Sequence, residues 1–258
     1  YAEGKAEEAE ALLGATLASD PGNAEAAQQL AGIALSRAPR AAAARAVLVA
    51  AQAAAPDNLG LASITARVLI LSGDPARAVT LLEAAPLQVR GRGAEMPMLL
   101  AEARVTAGDL AGAEAASRIA LAEDPRSVMV RRQLAILLAR KGDLAGAEAI
   151  VREGRITQPA DPVLQATLLA VVRQARGLDA ALALAEQLAR RPEAQPASLT
   201  LRGDLLAAAG RHADAAQAFA EAYALAPSSV LALRRAAMLG AAGRQAGRIP
   251  LGRMGLAG

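Results

Sequence analysis

Apolar and small side chains recur along this chain at the spacing of an α-helix. In the segment 196–229, two groups of three residues each share one helix face: Leu199, Gly203 and Leu206, then Ala215, Phe219 and Ala222. A period of about 3.6 residues predicts one amphipathic helix for each group. Helix axes approach to about 8–10 Å where the facing side chains are small, as glycine and alanine are. The pattern therefore predicts a closely packed helical hairpin.

This pattern returns at a regular interval. Three segments align without a gap, each running from a glycine to a proline: 108–125, 142–159 and 210–227. In each, a small residue follows the glycine after five and again after twelve positions. The first copy precedes the second by one period of about 34 residues, and the third begins two such periods after the second. Glycine suits a helix C-terminus, where a left-handed conformation is often needed, and proline suits the start of the next unit.

Weaker copies begin at Gly4, Pro39, Gly73 and Arg176. The chain 1–258 is thus predicted to be a single solenoid with repeats at about 24–58, 59–93, 94–127, 128–161, 162–195 and 196–229, a partial repeat at 1–23, and a partial repeat or tail at 230–258. In the second repeat, Pro86 interrupts the second helix early. We interpret residues 86–93 either as a hinge or as a local irregularity that neighbouring repeats absorb.

A helix–turn–helix period of about 34 residues is typical of tetratricopeptide repeats, and the chain resembles that family, in its alanine-rich bacterial form, over nearly its whole length. The residues that match the family's positions are Gly32, Ala44, Gly203, Ala215, Phe219, Ala222 and Pro227. Leucine or arginine stands where the family often has tryptophan or tyrosine. The resemblance implies an all-α fold, a right-handed superhelix of antiparallel helix pairs. A related α-solenoid with hairpins of similar length is the alternative.

Composition shapes the expected core. Hydrophobic residues make up 54% of the chain but aromatic residues only 1%, so the core must consist of alanine, leucine and valine. Small side chains each bury little area, and stability must come from many close contacts added along the array. No run reaches the roughly 18 uncharged apolar residues of a membrane-spanning helix, and no transmembrane segment is predicted. The absence of cysteine excludes disulfides and thiolate metal sites.

Charge is unevenly distributed, although the net charge is only +3. Residues 1–58 carry four basic and seven acidic side chains, whereas residues 230–258 carry five arginines and no acid. A basic end can attract an acidic peptide, a polyanionic polysaccharide or nucleic acid; a solvated tail is the simpler interpretation of residues 230–258, and whether 243–258 is ordered stays open. Two tyrosines and one phenylalanine offer few stacking partners for bases, so nucleic acid is not predicted as a partner.

Residues capable of catalysis do not cluster. His212 is the single histidine; Asp214 follows it closely, but Ser228 and Ser229 lie at the far end of the repeat. A serine–histidine–aspartate site would also need an oxyanion hole, for which no pattern exists. Neither a metal-ligand cluster nor a phosphate-binding loop is present in the sequence. We therefore expect no catalytic, cofactor-binding or metal-binding residues, no cofactor, and no enzymatic activity.

The resemblance implies instead a concave groove, lined by the first helices of successive repeats, that binds a peptide or protein partner. It places these residues on or near that surface: Glu95, Met98, Glu102, Met129, Arg132, Ile136, Arg140, Arg173, Gln174, Asp204, Arg234 and Met238. The arginines Arg132, Arg140 and Arg173 could bind carboxylates of a partner. The side chains of Met129, Ile136 and Met238 could make adaptable apolar contacts.

One function of the family is excluded on its residues. Its carboxylate clamp for chaperone tails uses lysine and asparagine on adjacent first helices. The only asparagines here, Asn23 and Asn58, fall in loops between repeats, and Lys141 falls in the turn before Gly142. The clamp cannot be assembled in its usual form.

The resulting hypothesis is a non-catalytic protein-interaction scaffold. One alternative is a periplasmic scaffold of an exopolysaccharide export complex of the cellulose-secretion type, whose long alanine-rich arrays the chain resembles. Another is the repeat region of a larger glycosyltransferase or sulfotransferase. The compartment stays open, the periplasm being favoured over the cytoplasm. Repeat arrays normally end in a polar cap, and its absence at both ends suggests a part of a longer protein.

Overall fold

The computed structural model describes residues 2–36, 41–84, 93–192 and 195–246. Within these residues every regular element is an α-helix, and none of the helices combines the length and apolarity needed to cross a bilayer. The helices are α1 (Ala2–Ser19), α2 (Ala24–Ser36), α3 (Ala41–Ala54), α4 (Leu59–Leu71), α5 (Pro75–Ala84), α6 (Glu95–Ala107), α7 (Leu110–Glu123), α8 (Val128–Arg140), α9 (Leu144–Thr157), α10 (Pro162–Arg176), α11 (Leu178–Ala189), α12 (Gln195–Ala208), α13 (His212–Leu225) and α14 (Ser229–Ala246).

Two predicted features fall at the edges of this description. Of the expected hinge at 86–93, only Gly93 lies within the described residues. Of the expected partial repeat or tail at 230–258, residues 230–246 lie in the helix α14, and the rest lies outside the described residues. The turn expected at Gly4 is wrong, because α1 runs through that position. A single glycine inside a helix costs only about 1 kcal/mol relative to alanine, which the alanine- and glutamate-rich surroundings offset.

Glycines with positive φ end helices at the turns inside the hairpins. The φ angle is +86° at Gly108, +88° at Gly142 and +74° at Gly210, the three glycines that start the aligned copies. A residue with a Cβ atom is strained in this left-handed region, whereas glycine enters it freely. The predicted role of the turn glycines is therefore confirmed.

Aspartates directly after two of these glycines begin the second helices. Asp109 accepts a hydrogen bond from the backbone N–H of Gly112 at 2.8 Å, and Asp143 accepts one from Gly146 at the same distance. Each satisfies a donor that would otherwise have no partner in the first helical turn. At these two turns the Gly-Asp pair thus ends one helix and begins the next.

Contacts divide the chain into two units, 1–137 and 138–258, with the border inside α8. In the first unit α2 packs on α3, α4 on α5 and α6 on α7, while α2 also contacts α4 and α4 contacts α6. In the second unit α10 packs on α11 and α12 on α13, α10 also contacts α12, and α13 contacts α14. Within each unit, helical hairpins stack on their neighbours, as in an α-solenoid.

The core of the α12–α13 hairpin has the composition predicted for it. All six residues of the two apolar groups are buried, with Ala215 and Ala222 at 0% and Phe219 at 2% exposure. A Cβ atom added at Gly203 would stand 2.5 Å from Cε1 of Phe219. The glycine therefore admits the ring against the backbone of α12, and the expected close approach is confirmed.

Candidate partner-binding surface

The residues predicted to bind a partner all lie on helices that the repeat register assigns as the first of each hairpin. They are Glu95, Met98 and Glu102 on α6; Met129, Arg132, Ile136 and Arg140 on α8; Arg173 and Gln174 on α10; Asp204 on α12; and Arg234 and Met238 on α14. All are exposed except Met98 and Met238, which are half-buried. Those up to Ile136 belong to the first unit and the others to the second.

An open pocket of about 390 Å³ lies in the first unit. Three of the predicted residues line it, all on α6, and α4 and α8 contribute one residue each; the lining consists of Arg67, Glu95, Met98, Leu99, Glu102 and Gln133. Leu99 is only 4% exposed, so it forms an apolar floor. The pocket thus spans three successive first helices.

The charges around this pocket are only partly matched. One carboxylate oxygen of Glu95 accepts hydrogen bonds from Arg67 and from the Ser63 hydroxyl, both at 3.2 Å. Both charged side chains are more than half exposed, so water screens this pair. The carboxylate of Glu102 and the amide of Gln133 make no hydrogen bond or ion pair with the described residues. The rim therefore offers one free acceptor group and one free amide.

The exposed stripe of α8 lies beside Gln133. Met129, Arg132 and Ile136 follow one another at i, i+3 and i+7, which places them on one helix face. The two apolar side chains are 53% and 42% exposed. Arg132 has no acidic partner among the described residues. This stripe combines adaptable apolar area with a free guanidinium group.

In the second unit the structure joins two of the predicted residues to each other. Nη1 of Arg234 donates to both carboxylate oxygens of Asp204, at 2.9 and 3.0 Å. The guanidinium carbon of Arg234 also stands 5.9 Å from the centroid of the Phe219 ring, within cation–π range. Met238 packs against the core cluster that contains this ring. These three residues therefore hold α14 in place as well as facing solvent.

Three other predicted residues of the second unit, Arg140, Arg173 and Gln174, differ from Asp204 and Arg234 in that they are not ion-paired with described residues. All three are exposed, and their side chains make no hydrogen bond or ion pair with the described residues of either unit. They are the free donors of the second unit among the predicted residues.

Residues excluded from binding by the sequence argument have structural roles. Asn23 accepts from the backbone N–H of Ala26 at 3.0 Å, which caps α2. Asn58 caps α4 and donates to the Gly22 carbonyl at 3.3 Å, joining two loops. Around His212, Asp214 pairs with Arg211 at 2.8 Å rather than with the imidazole. The described residues hold no group of ligands able to bind a metal ion.

Three lining residues of the pocket were missed from the sequence: Arg67, Leu99 and Gln133. A signal existed for two of them. Leu99 and Gln133 are separated by one repeat period, so they occupy equivalent positions on α6 and α8. Leu99 also directly follows the predicted residue Met98, and Gln133 directly follows the predicted residue Arg132.

Helical hairpins stacked on their neighbours, with small residues at the crossings, define the chain as an α-solenoid protein. Family models described as tetratricopeptide repeat match residues 104–171 and 170–230. The chain is a tetratricopeptide repeat protein, and proteins of this family serve in general as protein-interaction scaffolds.

Two solved structures, the first two described next, agree with this fold. A tetratricopeptide repeat protein from Parabacteroides merdae is 18% identical, with 92% of this chain and 93% of that one aligned at a TM-score of 0.53. A Cut9–Hcn1 hetero-tetramer of the APC/C is 14% identical over 92% of this chain and 47% of that one, at 0.50. A thermophilic protein of the same repeat type from Thermus thermophilus is 24% identical over 67% and 95%, at 0.41. No curated protein matches the sequence. Identities this low show the fold alone.

Proposed function

We propose that this chain is a non-catalytic scaffold that binds a peptide or protein partner on the first helices α4, α6 and α8 of the first unit. The observation that carries the proposal is the open pocket across these three helices, with Leu99 as its floor and charged groups at its rim. A concave site with an apolar floor and a few polar groups is the usual form of a binding site.

The lining suggests the chemistry of the partner segment. An apolar side chain would cover Met98 and Leu99 and remove their area from water. The free carboxylate of Glu102 complements a basic group, and the free guanidinium of Arg132 complements an acidic one. The partner segment is therefore expected to carry an apolar anchor with charged residues of both signs beside it.

In the second unit, Arg140, Arg173 and Gln174 extend the proposal. Because no described side chain satisfies their donors, they are available to partner carboxylates. Asp204 and Arg234 are less suited to this role, since a partner would first have to break their ion pair. Neither the export complex nor the transferase alternative gains support from the relatives described above.

Charge reversal tests the site in the first unit. The variants are Glu102→Lys and Arg132→Glu, both at exposed positions where the fold should tolerate the change. Matched controls are Asp57→Lys, in the exposed loop before α4, and Arg77→Glu, on the exposed face of α5. Proteins recovered with the purified wild-type chain should also be recovered with both controls and be lost with either test variant.

The expected loss is at least about tenfold in affinity, which corresponds to about 1.4 kcal/mol for a desolvated charge pair replaced by repulsion. Equal recovery of every partner by test and control variants would contradict a site on α6 and α8. Loss with the controls as well would show a general charge effect and would also refute the proposal.

A further inference from the structure

Arg155 is a charged residue whose donors lack acceptors. It lies near the end of α9 and is only partly exposed. Its Nε and Nη2 atoms are buried and have no hydrogen-bond partner, and no carboxylate of the described residues pairs with it. These two nitrogens lie on the same edge of the guanidinium plane. That edge is the one that donates two parallel hydrogen bonds to a single carboxylate or phosphate.

The repeat itself does not call for an arginine here. Arg155 stands thirteen positions after the turn glycine Gly142, and the aligned copies have Leu121 and Tyr223 at that position. Both of these hairpins form with a largely apolar side chain at this site. The packing of α9 therefore explains the position but not the charge.

Two further arginines act on this group. Burial lowers the pKa of Arg155, and the positive charges of Arg191 and Arg152 lower it further. Arg152 is partly neutralised by Glu148, which also pairs with Arg176. Arg191 is exposed, and its side chain has no partner among the described residues. Among the described residues, therefore, no carboxylate balances Arg155 or Arg191, and the guanidinium edge of Arg155 has no acceptor.

We propose that Arg155, together with Arg191 and Arg152, binds a tetrahedral oxyanion, either free phosphate or the phosphoryl group of a partner. Because Arg155 is partly exposed, a rotation about its side-chain bonds suffices to bring the covered edge to the surface of α9, where Arg152 lies about one helical turn away. A phosphate has several oxygens and can take the paired donors of Arg155 while it also contacts Arg191. Arg152 and Arg155 lie on the second helix α9, and Arg191 follows the end of the second helix α11; all three are separate from the residues proposed above to bind a partner.

Calorimetric titration with inorganic phosphate tests the proposal, at constant ionic strength maintained with sodium chloride. The variants are Arg155→Leu, which installs the residue of the aligned copy, and Arg191→Gln. The matched control is Arg118→Gln: Arg118 lies one repeat period before Arg152 and pairs with Glu114 as Arg152 pairs with Glu148. Wild type and control should bind alike, whereas Arg155→Leu should lose at least about tenfold in affinity.

A second readout guards against variants that merely perturb the fold. Phosphate should raise the melting temperature of wild type and of Arg118→Gln, but not that of Arg155→Leu. The variant by itself should melt at or above the wild-type temperature, because it removes a partly buried charge that has no partner. Equal binding by Arg155→Leu and wild type would overturn the proposal, and so would the absence of binding to wild type.

The source of the anion is resolved by a second ligand pair. A phosphoserine peptide that binds more tightly than inorganic phosphate, with no binding by its unphosphorylated form, assigns the site to a phosphorylated partner; equal affinities assign it to the free anion. Glu193, which lies outside the described residues, supplies a last control. If phosphate binds only after Glu193→Gln, the arginines serve an internal carboxylate, and the proposal is wrong.

Discussion

Replacing Gly203 with alanine tests how closely the helices of this array must approach. An added Cβ atom would stand 2.5, 2.7 and 2.9 Å from three ring atoms of Phe219. Carbon atoms in good contact are about 3.5–4.0 Å apart, so the overlap is on the order of 1 Å. Phe219 is 2% exposed and is surrounded by the core cluster of α11–α14, so the ring has no open space into which to move.

The magnitude follows from two opposing terms. Overpacking of a well-filled core costs about 1–3 kcal/mol. Alanine returns up to about 1 kcal/mol, because it is the better helix former. We therefore expect Gly203→Ala to lower the free energy of unfolding by about 1–2 kcal/mol.

Gly32→Ala is the matched control. Gly32 lies in the interior of α2, is exposed, and has nothing within 4 Å of an added Cβ atom. Only the helix-propensity term applies, so this variant should gain about 0.5–1 kcal/mol. The same substitution thus has opposite signs at two helical positions, and the difference measures the contact with Phe219.

The assay is urea unfolding followed by far-UV circular dichroism, with the midpoints compared at unchanged slope. A double-mutant cycle with Phe219→Leu should show a coupling of about 0.5–3 kcal/mol, because the smaller side chain makes room for the new methyl group. If Gly203→Ala were stabilised as much as Gly32→Ala, the close approach of α12 and α13 would not limit stability. That result would refute a stability limit set by contact between the added methyl group and Phe219.

Three further predictions rest on single contacts. Burial alone raises the pKa of Glu148, but hydrogen bonds from Arg152 and Arg176 and their positive charges lower it overall. This carboxylate therefore stabilises the fold above its unfolded pKa of about 4.3, and the stabilisation is lost as the pH falls through the lower pKa of the folded state. Glu148→Gln should flatten the dependence of the urea midpoint on pH in that acid range. An unchanged profile would refute the role of Glu148. Asp143→Ala should cost about 1 kcal/mol through loss of the cap on α9, whereas Asp143→Asn should restore most of it; equal stabilities of the two variants would exclude capping. Gly142→Ala should cost about 1–2 kcal/mol, because a Cβ atom is strained at a φ angle of +88°; a melting temperature equal to that of wild type would contradict this.

The fold could be predicted from the sequence because its determinants are local and recur. Each determinant acts on residues only a few positions away, as do the positive-φ glycine Gly108, the capping residue Asp109 and the small residue Ala113. The repeat period places the same types of residue in other hairpins. Prediction failed where a local signal was weak. Gly4 lacks a following cap, and α1 continues through it.

The candidate surface was less predictable, since it depends on side-chain direction between helices. The ion pairs Arg67–Glu95 and Asp204–Arg234 join residues 28 and 30 positions apart, which is less than one repeat period. The repeat period alone does not distinguish these ion pairs from other pairs of residues whose side chains do not contact each other. The position of a residue on a first helix is thus predictable, but whether its charge is free or already matched is not.

The alanine-rich core also limits how the chain can bind. Interface hot spots are enriched in tryptophan, tyrosine and arginine, and aromatic residues make up only 1% of this chain. The pocket floor instead consists of Leu99 beside Met98, and the neighbouring stripe exposes Met129 and Ile136. Such side chains adapt their shape to what they contact. If the chain binds a partner as proposed above, the rigid apolar anchor is therefore expected on the partner, and free charges such as that of Glu102 are expected to select it.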